Sequence, residues 1–88
     1  MQEDFEIEKA QVMFKLARKN NWGHKYDRLE HFKRFVNIGK IVKELSKLQW
    51  ILVYKKPNFT GISLNTKYKK EMIEFIENKI PYIKGMID

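Results

Sequence analysis

Apolar residues recur at helical spacing over four stretches of this chain and alternate like strands over one more. The first stretch, about residues 4–20, spreads Phe5, Ala10, Val12, Met13, Phe14, Leu16 and Ala17 over more than half of a helix circumference. Such a helix is expected to be buried on more than one side, in the core or against a partner subunit. Glu3, Asp4 and Glu6 open it and Arg18 and Lys19 close it, the polarity a helix dipole favours, and Asn20, Asn21 and Gly23 stop it. A second helix is predicted over about 27–36, with Asp27 as N-cap, Leu29, Phe32, Phe35 and Val36 on one face, and Arg28, Lys33 and Arg34 outside. Asn37 breaks that pattern. A third helix, about 38–49, gathers Ile38, Ile41, Val42, Leu45 and Leu48 on one stripe and sets Lys40, Lys43 and Lys47 in a row on the opposite side. Residues 50–65 then read as a hairpin: Trp50 to Tyr54 is β-branched and aromatic, Ile62-Ser63-Leu64 alternates, and PNFTG is the expected five-residue loop. A fourth helix over about 66–80, capped by Asn65 or Thr66, lines up Tyr68, Met72, Ile73, Phe75, Ile76 and Ile80, and Pro81 ends it before the tail 81–88.

The expected fold is mostly α with a small β-hairpin (α+β), in the order helix-helix-helix-strand-strand-helix, as one domain over residues 1–88. That length suits a single core, and the 43% of hydrophobic residues argues against disorder. The chain has no cysteine, which excludes disulfides, thiolate metal sites and cysteine catalysis together. No apolar run approaches the roughly 20 residues of a membrane span, and the acidic start MQEDFEIEKA is unlike a signal peptide. A cytoplasmic protein is the expectation.

Charge changes the picture more. The formal total is +7, distributed unevenly. Residues 15–43 hold nine bases and two acids and residues 44–70 hold six bases and one acid, whereas both ends of the chain are net acidic. Fifteen of the 18 bases are lysine, so a general lysine bias competes with function as the source of this charge.

The stretch IVKELSKLQWILVYKK followed by GISLNTKYKKEM resembles the recognition-helix end of winged helix-turn-helix DNA-binding domains, as found in small archaeal and bacterial regulators. The resemblance covers roughly residues 5–80. Two departures stand out: Gln49-Trp50 occupies the place of the family's glycine after the third helix, and Asn65-Thr66 with Lys67 stands in for a Thr-x-x-Gly segment. The resemblance implies that the segment from Asn37 to Lys47 is the recognition helix, lying in the major groove of double-stranded DNA. It implies too that the loop with Lys55, Lys56, Asn58, Phe59 and Thr60 is the wing, and that the role is transcription regulation.

The residues themselves leave alternatives open. Lys40, Lys43 and Lys47 suit phosphate attraction, or else a solvated helix face. Asn37 is the best base-reading candidate and Ser46 a weaker one, although Asn37 reads equally as a turn residue. Lys67, Lys69 and Lys70 oppose the dipole of the fourth helix, which phosphate contact would explain. Lys33 and Arg34 are candidates for flanking phosphates. Phe59 either wedges against nucleic acid or folds back on the hairpin. His24 and His31 lack a third metal ligand, no pocketed nucleophile accompanies Asp27 and His31, and no Gly-rich phosphate loop occurs, so neither a metal, a cofactor nor enzyme activity is expected. Further expectations are a homodimer through the first and last helices, no membrane association, and, as the other class of function, a protein-interaction module of a replication, transcription or ribosomal assembly. Structured RNA is a third target that the same charge fits.

Overall fold

A computed structural model describes residues 2–87 of the chain; Met1 and Asp88, the two ends of the expected domain, lie outside the described residues. Three α-helices enclose a core on the inner face of a three-stranded antiparallel sheet. In chain order these are α1 (Gln2–Arg18), β1 (Asp27–Arg28), α2 (Ile38–Lys47), β2 (Ile51–Lys55), β3 (Thr60–Leu64) and α3 (Lys69–Lys79). Short 3-10 turns occupy Leu29–Phe32, Thr66–Tyr68 and Pro81–Ile83.

The strand order is β1-β3-β2, so the hairpin gains a third strand from far upstream. Asp27 pairs with Ile62 and Arg28 with Gly61, while β2 and β3 pair from Ile51↔Leu64 to Lys55↔Thr60. The hairpin connection is Lys56–Phe59 rather than the five-residue PNFTG, because Thr60 and Gly61 are already in β3 and Lys56 N–H donates to Phe59 O at 2.9 Å. Pro57 and Asn58 keep the centre of the turn, where a fixed φ and a small polar side chain are favoured.

The larger departure is the predicted second helix. Residues 27–36 are the two residues of β1, one 3-10 turn and a run of turns to Asn37. Two non-local interactions win over the helical pattern. The backbone of 27–28 is claimed by β3, and Asn37 is held by Glu8 of α1, whose carboxylate accepts from the Asn37 backbone N–H and from Nδ2, each at 2.9 Å. Leu29 and Phe32, three apart, fit a 3-10 turn as well as an α-helix, and Phe32 is fully buried. The other boundaries move little: α1 starts two residues early and ends two early, α2 ends at Lys47, and the first turn of the fourth helix is 3-10.

Both α1 and α2 end in the same way. Asn20 and Gln49 adopt left-handed φ values of 60° and 64°, and the residues after them bond back to Leu16 O and Leu45 O at 3.0 and 2.9 Å. That closes the last turn and satisfies its free carbonyls. Gln49 thus holds a position where glycine is favoured, in a conformation that penalises any Cβ. Gln49→Gly is expected to raise stability by about 0.5–1 kcal/mol, visible as a higher urea midpoint at unchanged slope.

The core joins Val12, Met13 and Leu16 of α1, Ile41 and Leu45 of α2, Ile62 and Leu64 of β3, Met72 and Ile76 of α3, and Phe32 of the first 3-10 turn. Ile80 and Ile83 seal its end, so the tail after Pro81 is anchored through Ile83 while Tyr82 and Met86 are exposed. Among the described residues two charged side chains are buried, Lys9 and Asp27. Lys9, 5% exposed, pairs with Glu6 at 2.8 Å and with Glu44, tying α1 to α2, and its ammonium is also within 5.6 Å of the Phe75 ring centre. Burial alone would lower its pKa, but the hydrogen bonds to Glu44 and Glu6 outweigh that and hold it above the ordinary lysine value.

Candidate nucleic-acid interface

On α2 the apolar stripe is turned inward, with Ile41 and Leu45 buried, and Lys40, Lys43, Ser46 and Lys47 are exposed. Among the described residues none of these three lysines has an ion-pair partner. Glu44 lies on the same side of the helix, but its carboxylate is engaged by Lys9. The row is therefore an uncompensated strip of positive charge about 11 Å long at 1.5 Å per residue.

Asn37, the base-reading candidate, is the residue before α2 and its amide is engaged by Glu8, which favours the turn reading of this residue. At the other end of α2 the structure makes a junction that spacing alone does not reveal. Asn65 N–H donates to Trp50 O at 2.9 Å, Asn65 Nδ2 donates to Gln49 O at 2.8 Å, and Asn65 Oδ1 caps Lys67 N–H at 3.1 Å. The chain next to Lys47 is so bound to the chain next to Lys67. Lys67, Lys69 and Lys70 are all exposed. Two of them also have a local partner: the Lys67 ammonium is 5.7 Å from the Tyr68 ring and that of Lys69 is 5.3 Å from Trp22, an attraction that offsets part of the dipole penalty.

Lys55, Lys56 and Asn58 are exposed at the hairpin tip. Phe59 is not. It folds back on the outer sheet face, 6.0 Å from Tyr26, which in turn stands 5.3 Å from Tyr54. Gly61 makes room for this cluster, since a Cβ there would lie 2.5 Å from the Tyr26 ring. Thr60 is half-buried opposite Lys55. The pairing of β1 also adds a cation that the sequence pattern assigned to a helix: Arg28 places its guanidinium 4.4 Å from the Phe59 ring centre, at the base of the tip. A two-residue strand has no periodicity to reveal it. Lys33 and Arg34 sit in the turns before α2, and Arg34 lies 4.8 Å over Phe35, toward α1 rather than the hairpin.

Asp27 holds β1 in place. Its carboxylate, 9% exposed, accepts from Arg28 N–H at 2.8 Å, from Lys19 Nζ at 3.0 Å and from His31 Nδ1 at 2.6 Å. Burial alone would raise its pKa, but the bonds from His31, Lys19 and the backbone outweigh this and keep it below the usual carboxylate value. A depressed carboxylate pKa stabilises the fold above its unfolded value near 3.9, and this contribution is lost as pH falls through the folded value. Asp27→Asn is therefore expected to be less stable than the parent at about pH 6, the gap narrowing below about pH 4 in a series of denaturant melts. A gap independent of pH would place the effect elsewhere.

Among the described residues no group of three or more histidine, aspartate or glutamate side chains is arranged to hold a metal ion, and no helix is long and apolar enough to cross a membrane. No family model matches the chain, and no curated protein or solved structure is significantly similar to it.

Proposed function

We propose that the chain is a winged-helix protein that binds double-stranded DNA, with α2 as the recognition helix and the β2–β3 hairpin as the wing. The observation that carries this reading is the exposed row Lys40, Lys43 and Lys47, without an ion-pair partner among the described residues, on the helix that leads directly into a hairpin tipped by Lys55 and Lys56. The element order and the β1-β3-β2 sheet support it, because a three-stranded sheet steadies a hairpin that would be marginal alone. Lysine is a flexible point charge, so the row attracts phosphates and contributes more to affinity than to base discrimination. Arg28 joins Lys55 and Lys56 as a backbone contact of the wing, pre-set by Phe59. Lys67, Lys69 and Lys70 extend the charge past the C-terminal end of α2, and the role proposed for such binding is transcription regulation.

The test is a duplex titration at increasing salt. Log affinity should fall linearly with log salt, with a slope of about 0.9 per phosphate neutralised. Absence of duplex binding at low salt would remove the proposal. One observation favours a protein partner instead: Leu48, the residue after α2, continues its apolar stripe yet is half exposed. Capture of one protein by the immobilised chain, surviving nuclease and lost in Leu48→Glu, would select that second reading.

A further inference from the structure

The side of α1 turned away from the core is not completed by the fold. Ile7 and Phe14 stay only half-buried, and Val36, in the turns before α2, is 90% exposed. These residues line an open groove of about 880 Å³ between α1 and residues 34–36. Its ends differ in charge, with Asp4 and Glu8 at one and Arg18 and Arg34 at the other. Glu8 is taken by Asn37, and Lys19, also in the groove, by Asp27. Among the described residues Asp4, Arg18 and Arg34 have no ion-pair partner. Each guanidinium lies near a ring, Arg18 at 5.6 Å from Phe14 and Arg34 at 4.8 Å from Phe35, and both side chains are exposed and can take a carboxylate.

We infer that this groove is the contact between two copies of the chain, with their α1 helices antiparallel. Residues 4, 7, 11, 14 and 18 are spaced alternately three and four apart and so share one helix face. The seam is self-complementary about its midpoint. A two-fold axis passing near Gln11 brings Asp4 of each copy toward Arg18 of the other and Ile7 toward Phe14, with Val36 extending the apolar strip; such an isologous contact makes every favourable pair twice. Partners of a single sign fit less well. Nucleic acid would meet Asp4 and Glu8, and a purely acidic peptide would satisfy the arginines and be repelled at the other end. The last helix offers less surface, because Ile80 and Ile83 are buried in the chain's own core. Lys40, Lys43 and Lys47 are outside the groove, so pairing leaves both lysine rows open.

The test is sedimentation of the nucleic-acid-free full chain, which reads association independently of whether it binds DNA. The parent is expected to be dimeric at about 100 µM, and Asp4→Lys and Arg18→Glu should each weaken the dimer at least about tenfold, because each sets like charges together twice. An equimolar mixture of these two variants should associate again, since the mixed pair sets each reversed charge against an opposite one. Val36→Asp should be monomeric with a parent-like far-ultraviolet spectrum. A monomeric parent at that concentration, a dimer indifferent to the single reversals, or a mixture no more associated than its components would each overturn the inference.

Discussion

Replacing Lys40, Lys43 and Lys47 together by glutamate is expected to lower duplex affinity by at least about a hundredfold near 0.1 M salt, and to reduce the salt slope by about three. The three ammonium groups are exposed on one side of α2 and unpaired among the described residues, so each is available to displace one counterion from the duplex. Their loss removes that release, and the introduced carboxylates add repulsion. Stability should barely change, because no buried group depends on them and surface charges contribute little to folding. The matching change to arginine should preserve affinity, and reversal of Lys79 and Lys84, on α3 and after it, should cost far less. Equal losses at both places would reduce the interaction to net charge of +7 and dispense with a recognition helix. An unchanged affinity for the triple variant would remove α2 from the interface altogether.

The largest expected effect on stability is at Phe32. Phe32→Ala should cost about 3–5 kcal/mol, because the ring is fully buried and its removal leaves a cavity in the core. A domain of this length has only about 4–13 kcal/mol in all, so the variant should melt some tens of degrees lower or be partly unfolded at room temperature. The Lys15 ammonium, 4.4 Å from the centre of the same ring and donating to His31 O at 2.6 Å, loses its seat too. Thermal melts followed by circular dichroism measure this. A cost below about 1 kcal/mol would mean that the 3-10 turn is peripheral, as an exposed amphipathic helix over 27–36 would have allowed. The outcome matters for function as well, since this turn fixes the entry to α2 and so the orientation of the lysine row.

The two cases divide what could be read locally from what could not. The apolar stripes of α1, α2 and α3 at period 3.6, the alternation on either side of Pro57-Asn58 and the stop at Pro81 are each contained in a dozen or so neighbouring residues, and such patterns survive packing. They sufficed to place α1, α2, the hairpin and α3 to within a few residues, together with the exposed lysines, because outward-facing charge is the complement of an inward-facing stripe. Leu29, Phe32, Phe35 and Val36 repeat at a spacing that a helix and a 3-10 turn share, so local pattern had no means of choosing.

The choice is made at a distance. β3, more than thirty residues downstream, takes the backbone of Asp27 and Arg28 into a third strand, and Glu8 takes both the amide and the side chain of Asn37. Those pairings move Arg28 from the outside of an imagined helix to the foot of the hairpin tip, engage the asparagine expected to read bases, and leave Val36 exposed beside α1. The sequence alone determined α1, α2, the hairpin and α3, and that the lysines of α2 face water. Only the tertiary structure decided which of those charges stand together, since hydrogen bonds between distant segments override propensity where the local pattern is degenerate.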